Sequence, residues 1–477
     1  MAVAGLQFGC GAPQKAPGAQ GGPSPESRTA RALASVRDDR AELERFLATF
    51  PVGGDLHHHL GGSVPVEHLI RMATDRGLCL PRSEDTVWAL VAPAAGGCPA
   101  GARPVAEAAV DETFRAEIEG RWTMRKYLSN APSVDRQAAN DHFFDSFGKF
   151  TPALGDFPRT LAVVRNAAAA QGTLYIETST GGRAGPALGL AVEAVRWSED
   201  FGALRERLLE SAEFQRARER SVDAFATVLE RSEEILGCET PAAQPGCDVF
   251  VRLQVHAMRT SSPLSVFAQT LLSYEVSSRL PEVVGINLVA PEHDPVSVRD
   301  YDLHMKMHAT LGPLYPDVGR ALHAAEFSED QARRLGTTDH LEKALSVARA
   351  QRIGHGVSLD AEQRRAWVLE TLRERGVAVE LNLRSNEELL GVLGRDHPLP
   401  DYLAAGVPIV LSTDDAGLML TTQREQFRLA LQYPEVGYAE LKRFAYNSLR
   451  YSFLADGDEE RLVRRLDAQF REFEGRF

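Results

Sequence analysis

Eight short apolar runs, most of them separated by segments of helical periodicity, predict an α/β chain folded as a (β/α)8, or TIM, barrel. A second observation points the same way. Histidines and carboxylates end four of these runs, and in a parallel barrel the C-terminal ends of the strands form the catalytic face. The runs are expected as strands at 52–56, 173–177, 249–255, 283–288, 319–324, 351–355, 377–382 and 408–413. Strands that alternate with helices must pair in parallel. Helices are expected at 329–350 and 361–375, and the long stretch 105–150 reads as helical excursions over the barrel mouth. Within it Phe143, Phe144 and Phe147 are spaced for one side of a helix, either as packing or as a wall of a substrate pocket. Residues 93–101 read as an insertion loop, and helices at 438–453 and 459–477 are expected outside the barrel.

The chemistry begins at the first run, which ends Gly53-Gly54-Asp55-Leu56-His57-His58-His59-Leu60-Gly61-Gly62-Ser63. Side chains alternate along a strand, so His57 and His59 share a face. Two imidazoles projecting together form half of a metal site; polar residues at a strand edge are the competing reading. Gly61 and Gly62 let the backbone turn close to a bound group. Farther on, Ala321-Leu322-His323-Ala324-Ala325-Glu326 places a histidine three residues before a glutamate. His355 stands between Gly354 and Gly356, and the last apolar run ends in Ser412-Thr413-Asp414-Asp415. Each alone could be a capping Asp, a satisfied His or a surface Glu. All four at strand ends, in this order, point to one site.

The succession His-x-His-Leu-x-Gly-Ser, His-Ala-x-Glu, Gly-His-Gly and Ser-Thr-Asp-Asp resembles the adenosine deaminase family of metal-dependent amidohydrolases, from about Pro51 to about Leu454. The segments Tyr175-Ile176-Glu177, Gly285-Ile286-Asn287, Glu380-Leu381-Asn382, Ser385-Asn386, His397-Pro398 and Asn447-Ser448 are similar to family segments too. The resemblance implies one Zn²⁺ per chain held by His57, His59, His323 and Asp414, a donor set that suits zinc. It implies hydrolytic deamination at C6 of an adenine ring. Glu326 would donate a proton to N1, His355 would orient or deprotonate the attacking water, and Asp415 would hydrogen-bond N7. Binuclear amidohydrolases carry a bridging Lys at the end of the fourth strand; here that strand ends Asn287-Leu288-Val289, which favours one metal.

Three positions depart from the family pattern. Gly61 replaces an Asp that contacts the ribose, Ala290 replaces a Gly whose N–H contacts the purine, and Ser179 replaces an Arg. Loss of the carboxylate at Gly61 leaves room for a bulkier or anionic 5′ substituent and predicts weak discrimination there. The default substrate that the resemblance implies is adenosine or 2′-deoxyadenosine. The alternatives are an adenine nucleotide, an N6-substituted or a 5′-modified adenosine, and, in another class, a secreted family member acting by binding.

The chain has 477 residues and a formal net charge of -13, which argues against a nucleic-acid surface. No apolar stretch is long enough to span a membrane as a helix, and nothing in the pattern sets an oligomeric state. Residues 1–35 read as a disordered segment, with Cys10 and its surroundings similar to the end of a lipoprotein signal; 36–477 read as one barrel domain. The five cysteines include two pairs, Cys79 with Cys98 and Cys238 with Cys247, that bracket Gly/Pro-rich loops and are expected as disulfides. Such bridges fit an extracytoplasmic setting; free thiols in the cytoplasm are the alternative.

Overall fold

In the computed structural model of the chain, which describes residues 23–81, 88–128 and 135–477, every expected run carries a strand. They are β1 (Gly54–His59), β2 (Tyr175–Gly181), β3 (Phe250–Met258), β4 (Val283–Val289), β5 (Gly319–Ala324), β6 (Arg352–His355), β7 (Ala378–Leu381) and β8 (Ile409–Leu411). They form one eight-stranded sheet in chain order, each pairing in parallel with the next. Helices cover the outer face, so the strands are buried on both sides and rich in Val, Ile and Leu. β1 is the exception. It is polar yet buried, because its outer end belongs to the site. There the seam with β8 is stitched by the backbone of the site residues themselves. The Asp414 amide donates to the His57 carbonyl (2.9 Å), and the His59 amide donates to the Asp414 carbonyl (3.0 Å).

The expected helix 329–350 is two, Glu329–Leu335 and His340–Ser346, because Gly336 ends the first in a left-handed turn (φ 73°). The helix expected from 361 starts at Arg365, and the last two run Tyr438–Arg450 and Asp456–Glu474. Over the barrel mouth, the first excursion includes helices Glu112–Trp122 and Arg136–Phe150, after which the helix Phe157–Ala169 leads to the start of β2. Both disulfides are present, Cys79–Cys98 with Cα atoms 5.7 Å apart and Cys238–Cys247 at 5.3 Å.

The disordered reading of residues 1–35 is corrected from Pro25 onward. Residues Pro25–Val36 form a helix whose first turn is capped by Ser24, which accepts from the Ser27 amide at 3.1 Å. Thr29 and Leu33 bury one face of it. Just beyond, Arg37 donates to the carbonyls of Tyr433 and Val436 at 2.6 and 2.9 Å, tying the segment to the far end of the chain. The Pro- and Gly-rich composition before Ser24 obscured this short i, i+4 pattern. Residues 1–22, with Cys10 and the signal-like start, lie outside the described residues.

Candidate active site

His57 and His59 from β1, His323 from β5, His355 from β6 and Asp414 after β8 converge at the C-terminal mouth. Ring centroids of His57, His59 and His323 lie 4.4 to 5.2 Å from one another. Donor atoms of His57, His323, His355 and Asp414 all fall within 4.8 Å of one another, and His59, Asp414 and Asp415 form an overlapping group. His59 Nε2 lies 3.3 Å from Asp414 Oδ1, and His57 Nε2 lies 3.6 Å from it.

Which nitrogens are free to bind a cation follows from hydrogen bonds with fixed polarity. His57 Nδ1 faces the Glu380 carboxylate at 2.8 Å, so it donates, and Nε2 keeps its lone pair. That Nε2 is buried and has no hydrogen-bond partner among the described residues. Asn287 Oδ1 accepts from the Leu288 amide at 2.8 Å, which identifies it as the oxygen. His323 Nδ1, 2.9 Å away, must donate to it, and its Nε2 too is a lone pair. His355 has the opposite tautomer. The Leu399 amide donates to His397 Nδ1 (3.1 Å), so His397 Nε2 donates to Asn386 Oδ1 (3.2 Å). Asn386 Nδ2 then donates to His355 Nδ1 (3.1 Å). The His355 proton therefore sits on Nε2, 3.5 Å from Glu326 Oε1 and 4.0 Å from Asp414 Oδ2. His355 is a donor facing the site, while His57 and His323 offer lone pairs.

Electrostatics agree. Burial alone would lower the His57 pKa, but the Asp414 carboxylate near Nε2 and the Glu380 carboxylate on Nδ1 outweigh it and carry it up to about 10, so that without a cation Nε2 takes the proton that a bound cation would replace. The place between these carboxylates thus favours positive charge, as a cation site requires. Burial holds the other site histidines neutral, His59 lowered to about 4 and His355 to about 3. Asp414 is kept ionised; burial opposes this, and His57 and the neighbouring imidazoles outweigh it.

Glu326 is the contrast. Burial pushes its carboxyl up to about 8 against the opposing effect of Arg259, so it holds a proton at neutral pH. The turn carrying it is gripped by Glu292, which accepts from the Ala325 amide (3.1 Å) and the Glu326 amide (2.9 Å). Ala325, His355 and Asp414 all have positive φ (60°, 66° and 63°), non-glycine strain concentrated at the strand ends. Asp415 is also raised well above the carboxylate range, first by burial and then by Asp414. Its buried Oδ1 has no partner among the described residues. It lines the cavity as a neutral carboxyl able to donate.

The residues expected at the substrate all line that cavity, which encloses about 820 Å³. Phe143, Phe144 and Phe147 form part of its wall, the functional reading of the cluster. Beside Gly61 the space is apolar, since a Cβ there would lie 3.1 Å from Leu154 Cδ1. Ala290 has φ 86°, a glycine-like conformation retained without glycine, and its carbonyl accepts from Arg259 Nε at 2.6 Å. Gly62 is required for a different reason: a Cβ there would fall 1.8 Å from Asp415 Oδ1. Gly62→Ala is expected to displace Asp415 and lower kcat/KM by about a hundredfold with bound metal unchanged. Steady-state kinetics beside metal analysis checks this, and an unchanged rate would free Asp415 of any role.

Sequence reasoning did not assign Glu380, Asn287, Asn386, His397, Arg259 or Glu292. The first four stand in segments already similar to the family; only the fold shows which imidazole each one orients.

Fold and donor set together define a barrel of the metal-dependent amidohydrolase type. Residues 217–469, more than half of the chain, match the family model described as adenosine deaminase. The chain belongs to the adenosine deaminase family. It is 24% identical to the adenosine deaminase of Clostridium kluyveri over 191 residues, 39% of this chain and 51% of that protein. It is 28% identical to the adenine deaminase of Agrobacterium fabrum over 219 residues, 46% of this chain and 62% of that one. The chain thus spans between about half and three-fifths of the length of these curated relatives. A solved amidohydrolase of Burkholderia ambifaria with bound zinc shares the fold, with a TM-score of 0.56 at 17% identity over 91% of this chain and 95% of that one.

Proposed function

We propose that this protein is a zinc-dependent hydrolytic deaminase of a 6-aminopurine nucleoside, with one zinc per chain held by His57, His59, His323 and Asp414. The observation that carries the reading is a buried carboxyl, Glu326, in the cavity wall 3.5 Å from His355 and beside imidazoles whose tautomers are set by their neighbours, with burial raising its pKa toward the protonated form. Zinc, when bound, supplies the Lewis acidity that makes water a nucleophile near neutral pH. Water adds at C6, the C6–N bond breaks, and ammonia leaves. Glu326 passes its proton to N1, which lets the ring accept electrons as C6 is attacked. The His355 Nε2–H is aimed to stabilise the charge that develops on the incoming oxygen. Asp415, neutral, donates to N7. The size of the cavity favours a nucleoside over a free base. The family names of the relatives, adenosine and adenine deaminase, support the chemistry. The two disulfides support maturation in an oxidising compartment outside the cytoplasm.

Ammonia release from adenosine, 2′-deoxyadenosine and adenine, with zinc measured on the same sample, tests this. The expected result is turnover of a nucleoside at about one zinc per chain. No ammonia from any purine at full zinc loading would overturn the activity, and two metals per chain would overturn the mononuclear site.

A further inference from the structure

The cavity holds one charged group that the deamination does not use. Its three carboxylates, Glu326, Asp414 and Asp415, all belong to the reacting end. Another stretch of its wall is the loop after β2, Thr180-Gly181-Gly182-Arg183, and it supplies a cation. The Arg183 guanidinium lies 4.1 Å above the Phe157 ring, and its Nη2 donates to Thr180 Oγ1 at 3.0 Å. Its Nε is buried and unpartnered, and no carboxylate lies within ion-pair distance of it, both among the described residues. Burial pulls its pKa down to about 10, the signature of a charge losing water without gaining an anion. Arg183 holds a positive φ of 55° at this point in the loop.

Among the described residues the surroundings offer donors and no competing anion. His256, neutral because of burial and of nearby His59 and Arg183, lines the same wall. Its Nδ1 pairs with Ser179 Oγ at 2.8 Å, and Ser179 stands where the family pattern carries Arg. A second guanidinium, Arg220, backs the loop: a Cβ on Gly185 would lie 3.2 Å from its Cζ. Buried charges in proteins are paired, and the guanidinium fork matches an oxyanion.

We propose that Arg183 binds an anionic group, phosphate or carboxylate, on the ribose side of the substrate, so that the preferred substrate is an anionic derivative of adenosine. This rests on the deaminase reading above. It also gives a positive cause for what Gly61 only permits.

The test is kcat/KM of the zinc-loaded full chain for adenosine, adenosine 5′-monophosphate and adenosine 5′-carboxylate, with calorimetric binding of inosine and inosine 5′-monophosphate to the same sample. One of the two anions should exceed adenosine by at least about thirtyfold, through KM, as charge-assisted hydrogen bonds allow. Which one does so tells phosphate from carboxylate. Arg183→Gln should cut that preference at least about tenfold, Arg183→Lys less, and salt should weaken it. If phosphate is the group, inosine 5′-monophosphate should outbind inosine, a readout that needs neither turnover nor a variant. Adenosine turned over as well as both anions, or Arg183→Gln slowing all three substrates alike, would make Arg183 structural and overturn the proposal while leaving the deaminase reading intact. Ammonia from none of the three would overturn that reading itself.

Discussion

Glu326→Gln is expected to lower kcat by about three orders of magnitude while zinc content and thermal stability stay near those of the parent. The amide keeps the shape of the carboxyl and its reach into the cavity, but it has no proton to release. The size of the effect follows from where the proton is needed. Attack at C6 destroys ring aromaticity unless N1 is protonated as the bond forms, so an acid of matched pKa acts directly on the barrier. Glu326 is tuned for that role, pushed up to about 8 by burial against the pull of Arg259. Arg259 itself is fully buried, 3.6 Å from Glu292 and 3.5 Å from Glu326, so most of its charge is answered by the ionised Glu292. Single-turnover kinetics with metal analysis decides the point. A variant within tenfold of the parent would mean that water or His355 delivers the proton.

The barrel and the reacting residues were legible in the sequence because the strands are short apolar runs and four of them stop at a histidine or a carboxylate. That pattern is local. It exposed His57, His59, His323, His355 and Asp414 without any long-range information. What orients these residues is not local. Glu380 meets His57 from 323 positions away, and Asn287 meets His323 from 36. His355 owes its tautomer to a chain through Asn386 and His397 that begins at a backbone amide. No spacing rule connects such groups. The helix at Pro25–Val36 was missed for a related reason: its buried face is only Thr29 and Leu33. Its anchoring partners lie some 400 residues later, as with Arg37 and the carbonyls of Tyr433 and Val436. Gly336 splits a helix that periodicity alone would continue.

Arg352→Met is expected to cost about 3–5 kcal/mol of stability. Arg352 has no exposed surface and sits beneath the site between two buried carboxylates. Its Nε donates to Glu380 Oε1 at 2.6 Å, its Nη2 pairs with Glu177, and its face stacks 3.8 Å from the Phe453 ring. From there the hydrogen bonds run on to both ends of the metal site. Glu380 orients His57; Glu177 accepts from Gln254 (2.7 Å), Gln254 accepts from Asn287 (3.3 Å), and Asn287 orients His323. Removing the cation strands two carboxylates in the barrel core. Glu380 is now held below its usual 4.5, since Arg352 and His57 outweigh the opposing effect of burial; without Arg352 burial would raise it. The sign is then fixed. A folded-state carboxyl with a raised pKa binds more protons than the unfolded chain, so the deficit grows as pH rises through about 4.5 and shrinks toward acid. Denaturant unfolding of Arg352→Met should show the full loss at neutral pH and a smaller one near pH 5. The double variant Arg352→Met/Glu177→Gln should recover part of it by removing one stranded charge. Zinc affinity should fall about ten- to a hundredfold as His57 and His323 lose their fixed orientation. A neutral-pH loss under about 1 kcal/mol would mean that water or rearrangement compensates the pair, and that the network does not couple the barrel core to the metal site.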